Sequence, residues 1–204
     1  MRIVAGEWRG RRLAEPRGRE VTRPTTDRVR EAMASMAASA LDEGIEGARV
    51  LDAFAGSGAL GIEMLSRGAA WATFYDIDRQ AASLVGRNLA DLRCDRARYR
   101  VVTGDALLAA ERGGVYGAPF DLVLVDAPYA LGAEPAERLL AALAAAGALA
   151  PGAIAIAERA AADAGPRPAG FSVLREKRYG GTAVDLLRLD APASPSEPPA
   201  PPSR

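Results

Sequence analysis

The sequence predicts an α/β protein built on an open, mostly parallel sheet covered by helices on both faces, and three observations predict it. From Arg49 onward, short apolar runs alternate with helix-compatible stretches, an order that implies right-handed crossovers and a parallel sheet. The first run passes directly into a glycine turn, Val50-Leu-Asp-Ala-Phe-Ala-Gly-Ser-Gly-Ala-Leu-Gly-Ile-Glu63. Four acids, Asp52, Asp76, Asp105 and Asp126, fall at or just after the ends of expected strands. In such a sheet those ends share one rim, where a ligand crevice forms.

Taken in order, residues 1–21 mix short apolar pieces with Gly6, Gly10 and Gly18 and read as a short strand or hairpin followed by an irregular arm. Trp8, beside Arg9, Arg11 and Arg12, either packs a base or anchors the arm to the main domain. Thr22-Arg-Pro-Thr-Thr-Asp27 resembles a helix entrance, with Thr25 as N-cap and Asp27 in the first turn. The helix then runs over 26–42, with Val29, Met33, Met36, Ala37 and Leu41 forming a core stripe. Arg23, Arg28 and Arg30 point away from that stripe, toward phosphate, a cofactor carboxylate or solvent.

Strands are expected near 49–54, 71–75, 98–102, 120–125 and 153–158, and helices near 59–67, 78–92, 106–112 and 134–147. Val50-Leu51, Ala72-Thr-Phe-Tyr75 and Leu122-Val-Leu-Val125 have the continuous apolar character of buried parallel strands. Residues 171–178 and 182–189 bracket Tyr179-Gly180-Gly181 and predict a closing antiparallel hairpin. The last fourteen residues, 191–204, contain six prolines and predict a disordered tail. The expected organisation is a basic N-terminal arm over 1–24, one main domain over 25–190 and the tail.

Composition removes several classes of chemistry. The 204 residues include no histidine, which excludes histidine general bases, Ser/His/Asp triads and histidine-containing zinc sites. A single cysteine, Cys94, excludes an intrachain disulfide and a cysteine metal cluster. The N-terminus lacks a hydrophobic signal segment and no apolar run reaches membrane-spanning length, so a soluble cytoplasmic protein with no membrane partner is expected. Formal charge is zero for the whole chain, yet residues 1–30 hold nine arginines against four acids. Arginine suits bidentate phosphate contacts and stacking on bases, which makes the segment a candidate nucleic-acid contact. A solvated arm is the alternative.

Gly56-Ser-Gly-Ala-Leu-Gly61 fits the G-x-G-x-x-G spacing of nucleotide-binding turns. Its glycines allow a sharp turn and close ligand approach at a helix N-terminus. By themselves they fit NAD, another adenosine cofactor or a purely structural turn. Asp52 would receive a polar or cationic group near this turn, Asp76 both ribose hydroxyls, and Asp105 an adenine amine. After the strand at 120–125, Asp126-Ala-Pro-Tyr129 supplies a carboxylate and the Ala127 carbonyl as acceptors for an exocyclic amine, with Tyr129 available to stack on a planar base. Pro128 has no N–H and keeps Ala127 out of helical geometry.

These stretches together resemble the class I S-adenosylmethionine-dependent methyltransferases, and within them the bacterial 16S ribosomal RNA guanine-N2 methyltransferases. The resemblance rests on residues 1–13, Thr22-Arg-Pro-Thr-Thr-Asp-Arg-Val-Arg-Glu31, Leu51-Asp-Ala-Phe-Ala-Gly-Ser-Gly-Ala-Leu-Gly61, Val125-Asp-Ala-Pro-Tyr129 and Tyr179-Gly-Gly-Thr182. It implies a Rossmann-like class I methyltransferase fold with a seven-stranded, mostly parallel sheet and a C-terminal antiparallel hairpin. S-adenosylmethionine is the implied cofactor, held by Asp52, Phe54, Gly56, Ser57, Gly58, Asp76, Ile77, Asp105 and Ala106, with no metal. Asp126, Ala127, Pro128 and Tyr129 would hold the flipped guanine. Arg2, Arg9, Arg11, Arg12, Arg23 and Arg28 would hold 16S ribosomal RNA, in an assembling or complete small subunit, the enzyme acting as a monomer. The family pattern has two adjacent prolines where this chain has Ala127-Pro128, a change that keeps the backbone carbonyl. Amine-directed adenine-N6 methylation of DNA or RNA, a nicotinamide-dependent oxidoreductase and a non-catalytic RNA-binding scaffold are the competing readings.

Overall fold

In a computed structural model, residues 1–15 and 27–191 are described. Seven strands, β1 (Arg49–Asp52), β2 (Trp71–Asp76), β3 (Tyr99–Thr103), β4 (Phe120–Val125), β5 (Leu149–Ala160), β6 (Phe171–Tyr179) and β7 (Thr182–Leu189), form one sheet. Their order is β3-β2-β1-β4-β5-β7-β6. The first five run parallel, and β7 pairs antiparallel with both β5 and β6. The chain moves outward from β1 to β3, then returns to the other side of β1 with β4. That reversal puts the switch point, and the crevice it opens, between β1 and β4.

Side chains alternate across the strands and separate two cores. Val50, Leu122, Leu124, Ile154 and Ile156 face α1 (Asp27–Ala40), α2 (Ala59–Ser66) and α3 (Arg79–Asp91). Leu51, Val123, Val125, Ala155 and Ala157 face α4 (Ala106–Glu111) and α5 (Glu134–Ala145). Because both faces of the central strands are covered, β4 is buried at Phe120 and throughout Leu122–Val125 rather than alternating apolar with polar.

Among the boundaries that differ from the sequence expectation by a few residues, two have clear local reasons. β1 ends at Asp52 instead of 54, where the glycine turn begins. β5 starts at Leu149, ahead of the expected 153, and crosses Pro151 and Gly152. Its register with β4 shifts between Phe120 and Leu122, so the two strand-breaking residues are accommodated in an irregularity that leaves the ladder intact beyond it. The Thr22–Asp27 helix entrance, including the proposed Thr25 cap, and the 192–204 tail lie outside the described residues, apart from Asp27 itself.

Residues 1–13 form the anticipated hairpin, closed by Ile3 N donating to Arg11 O at 3.0 Å and Gly10 N to Ile3 O at 2.9 Å. Ile3, Trp8 and Leu13 are buried in the same core as α1, α2 and α3. Trp8 therefore anchors the arm, with the Arg98 guanidinium 5.7 Å from its ring centroid. The C-terminal half of α2 is the docking surface. Glu63, fully buried, accepts Val4 N at 2.8 Å and Ala5 N at 3.0 Å. Ser66 accepts Trp8 N through Oγ at 3.0 Å and Glu7 N through its carbonyl at 2.7 Å. Gly6 makes that approach possible, because a Cβ on it would sit 1.7 Å from Ser66 O, at φ +83°. Gly6→Ala is expected to cost about 2 kcal/mol or more through backbone strain and lost contact. Limited proteolysis should then cut within residues 1–15 well before the main domain is attacked.

Candidate methyl-transfer site

The turn after β1 is held from below by two carboxylates. Asp52, 1% exposed, accepts Gly61 N through Oδ2 at 2.9 Å. The polar group it receives is thus the backbone of α2, and the residue shapes the turn from inside. Gly61 permits this contact, since a Cβ there would lie 2.4 Å from Phe74 Cε1. Asp76, ending β2, accepts Gly56 N through Oδ2 at 2.8 Å and Asp78 N through Oδ1 at 2.8 Å. A carboxylate has about four lone-pair directions, so each oxygen keeps acceptor capacity beyond its amide. Gly56 and Gly58 adopt φ +55° and +79°, and a Cβ on Gly56 would meet nothing within 4 Å. The turn therefore opens onto free space at Gly56, whereas Gly58, expected beside it at the cofactor, is buried, and a Cβ on it would meet Val85 and Ile62.

The other residues expected around a cofactor occupy the same rim. Phe54 packs partly against the α4/α5 core, and Ser57 is buried. Ile77 follows Asp76 and is 77% exposed, an apolar side chain with no core to cover it. Asp105 caps α4, accepting Leu107 N at 2.8 Å and Leu108 N at 3.2 Å through Oδ1 alone. Ala106, behind it, is buried. Asp105 itself is exposed.

Asp126 follows β4 directly across the switch point from Asp52, as the β1–β4 pairing of Asp52 with Leu124 requires. Ala127 is buried, and Pro128, with φ −55° and ψ 128°, leads into a single turn over Tyr129–Leu131. The Tyr129 hydroxyl donates to Glu158 Oε1 at 2.5 Å and lies 3.1 Å from Thr182 Oγ1. Burial, then the Glu158 hydrogen bond, raise the Tyr129 pKa well above the ordinary phenol value, so it remains a neutral donor. Glu158 lies on β5 and Thr182 opens β7 after the Gly180-Gly181 turn, so these two strands together fix the hydroxyl end of Tyr129.

Glu158 and Thr182 received no site role from the sequence. Glu158 had the signal already used for the other acids, since it closes the expected 153–158 strand. Thr182 had only its place after Tyr179-Gly-Gly. Glu63 and Asn88 gave no signal, because a single polar residue within a helix shows its partners only once the arm is folded against it.

Among the expected RNA contacts, Arg2, Arg9, Arg11, Arg12 and Arg28 are all exposed, and Arg11 Nη2 also donates to Asp91 O at 2.9 Å. Arg23 lies outside the described residues. Arg30 departs from the expected outward-facing set: it is 2% exposed and donates through Nη2 to Arg2 O at 2.8 Å, because α1 packs beneath the arm. Cys94 is buried, and desolvation pushes its thiol up to about 11 despite the opposing charge of Arg98, which makes it unreactive. No helix among the described residues is long and apolar enough to cross a membrane.

The sheet order, its antiparallel β7 and the glycine turn at the β1/β4 switch point define a class I S-adenosylmethionine-dependent methyltransferase fold. A family described as Conserved hypothetical protein 95 matches residues 1–188. The chain belongs to that family. It is 39% identical over 193 residues to ribosomal RNA small subunit methyltransferase D of Escherichia coli (strain K12), covering 94% of this chain and 91% of the relative. The Haemophilus influenzae protein of the same name is 38% identical over 143 residues, covering 69% of this chain and 70% of that one. The solved structure of the Escherichia coli protein yhhF superimposes with a TM-score of 0.78 at 37% identity, over 94% of this chain and 99% of the other.

Burial pushes the Asp52 carboxyl from an ordinary 3.8 up to about 7, opposed by the Gly61 hydrogen bond and reinforced by the negative charge of Asp76. Between those values the folded chain holds a proton that the unfolded chain releases. Its stabilising contribution is therefore complete below about pH 4 and lost as pH rises through about 7. Asp52→Asn retains an acceptor for Gly61 N and should flatten the decline of Tm across this range. A variant whose Tm falls as steeply as the native protein's would remove the assignment.

Proposed function

We infer that the chain methylates the exocyclic N2 of a guanine in 16S ribosomal RNA, using S-adenosylmethionine. The observation that carries this reading is the convergence at one switch-point rim of the glycine turn with Asp76 and of the amine-accepting Asp126-Ala127 loop with Tyr129. Family membership and the ribosomal RNA small subunit methyltransferase relatives favour this target over the nicotinamide, adenine-N6 and non-catalytic alternatives. The reading includes a cytoplasmic monomer, a basic arm over 1–24 serving RNA, a catalytic domain over 25–190 and a proline-rich tail over 191–204. An assembling or complete small subunit is the natural form of the substrate.

The rim fits the cofactor by its own chemistry. Remaining lone pairs on Asp76 suit ribose hydroxyls, exposed Ile77 suits an adenine face, and Asp105 suits the adenine amine; Phe54, Ser57, Gly58 and Ala106 complete the wall. When bound, S-adenosylmethionine supplies an electrophilic methyl group on a sulfonium sulfur. The protein supplies alignment of a poor nucleophile, since the guanine N2 lone pair is delocalised into the ring. Asp126 accepts one N2–H and takes its proton as the N2–methyl bond forms, while the Ala127 carbonyl orients the other N–H. Tyr129 presents its ring to the extruded base. Glu158 and Thr182 fix the hydroxyl end of that ring. Phosphates held by the arm arginines keep the strand in place without choosing the base.

The deciding experiment is methyl incorporation into unmethylated small subunits and naked 16S RNA, followed by nucleoside identification; a product other than N2-methylguanine overturns the target. Asp126→Ala should lower turnover by about 100-fold or more while S-adenosylmethionine affinity holds. Unchanged turnover would sink its role. Replacing Arg9 and Arg12 with alanine should weaken RNA binding and reduce its log-log salt slope by about 0.7 per lost phosphate contact.

A further inference from the structure

Asn88 lies on the buried face of α3, 1% exposed, with its carboxamide between two segments far apart in sequence. Its Nδ2 donates to Ser57 O at 2.9 Å and to Ala14 O at 3.2 Å, and its Oδ1 accepts Ala14 N at 2.9 Å. Ser57 is the central residue of the Gly56-Ser57-Gly58 turn, and Ala14 is an exposed residue just beyond the N-terminal hairpin. A planar amide that engages both N–H bonds and its carbonyl has little freedom to follow one neighbour without the other. Met1 Sδ, 3.5 Å from Ser57 Oγ, is a second contact between the arm and the same turn. From the opposite end of α2, Glu63 and Ser66 hold the arm at residues 4–8. The arm is thus bonded at both ends of the segment that carries the glycine turn.

We propose that Asn88 is a positioning residue that couples the arm to the cofactor turn. A docked arm holds the Ser57 carbonyl, and hence the turn, in its binding geometry, and a bound cofactor tightens the arm in return. Reciprocity is required by thermodynamic linkage: whatever factor the docked arm contributes to cofactor affinity, the cofactor contributes to arm docking. The proposal rests on reading this turn as the S-adenosylmethionine loop. It adds that the RNA-facing arm and the methyl-donor site report to each other through one side chain, so that loading the enzyme also firms the surface that meets RNA.

Hydrogen–deuterium exchange at the Ala14 amide, with and without saturating S-adenosylmethionine, reads the coupling directly, and calorimetry gives the affinity. In the native chain the cofactor is expected to slow exchange at Ala14 by about fivefold or more. Asn88→Ala should abolish that slowing and raise the S-adenosylmethionine Kd by about fivefold or more. Ala14→Pro removes the N–H bonded to Asn88 from an exposed position, and should raise the Kd in the same direction even if Asn88→Ala fails to fold. A merely structural asparagine would leave Ala14→Pro binding the cofactor as tightly as the native chain. That result, or cofactor binding with no change at Ala14, overturns the coupling while the cofactor reading stands. If the native chain does not bind S-adenosylmethionine, both are overturned.

Discussion

Everything at the rim depends on two carboxylates that accept backbone amides from the turn after β1. Asp52 takes Gly61 N and Asp76 takes Gly56 N, so the ends of β1 and β2 grip the turn from two sides. Neither bond is possible unless the backbone comes very close, and the close approach at Gly61, against Phe74, leaves no room for a side chain. The switch point would open a crevice without these bonds, but its wall would not have a fixed shape. The burial of Asp52 shows the cost of this arrangement as a raised pKa, and its protonation as a route by which pH reaches the fold.

Much of this architecture was legible in the sequence because buried parallel strands are continuous apolar runs and their ends are marked by acids. Val50-Leu51 and Leu122–Val125 declared themselves, as did Asp52, Asp76 and Asp126. What the sequence did not reveal is long-range pairing of single polar residues. Glu63 looks like an ordinary helical acid until Val4 and Ala5 reach it, and Arg30 looks like part of a basic surface until the arm covers it. The extent of β5 was hidden for a different reason. Pro151 and Gly152 signal a break, yet an irregular register lets the strand continue through them.

The arm is basic outside and apolar inside. Ile3, Trp8 and Leu13 enter the core while Arg9, Arg11 and Arg12 remain exposed, so a single hairpin serves both packing and charge. This alternation means that the arginines are presented from a fixed surface. A docked arm loses less conformational freedom on meeting a strand of RNA than a free basic tail would.

The Thr182 contact to Tyr129 ties the Asp126–Tyr129 loop, proposed to receive the base, to the last strand of the chain. Ribosomes release the chain from its N-terminus onward, so the glycine turn and its acids at 52, 76 and 105 leave well before Thr182 does. The turn and its acids are therefore synthesised early, but the Tyr129 loop gains its Thr182 contact only when synthesis is nearly finished. Support of the Tyr129 loop is thereby tied to completion of the sheet, and a chain cut short before β7 would lose Thr182 together with the core residues Val184, Leu186 and Leu187.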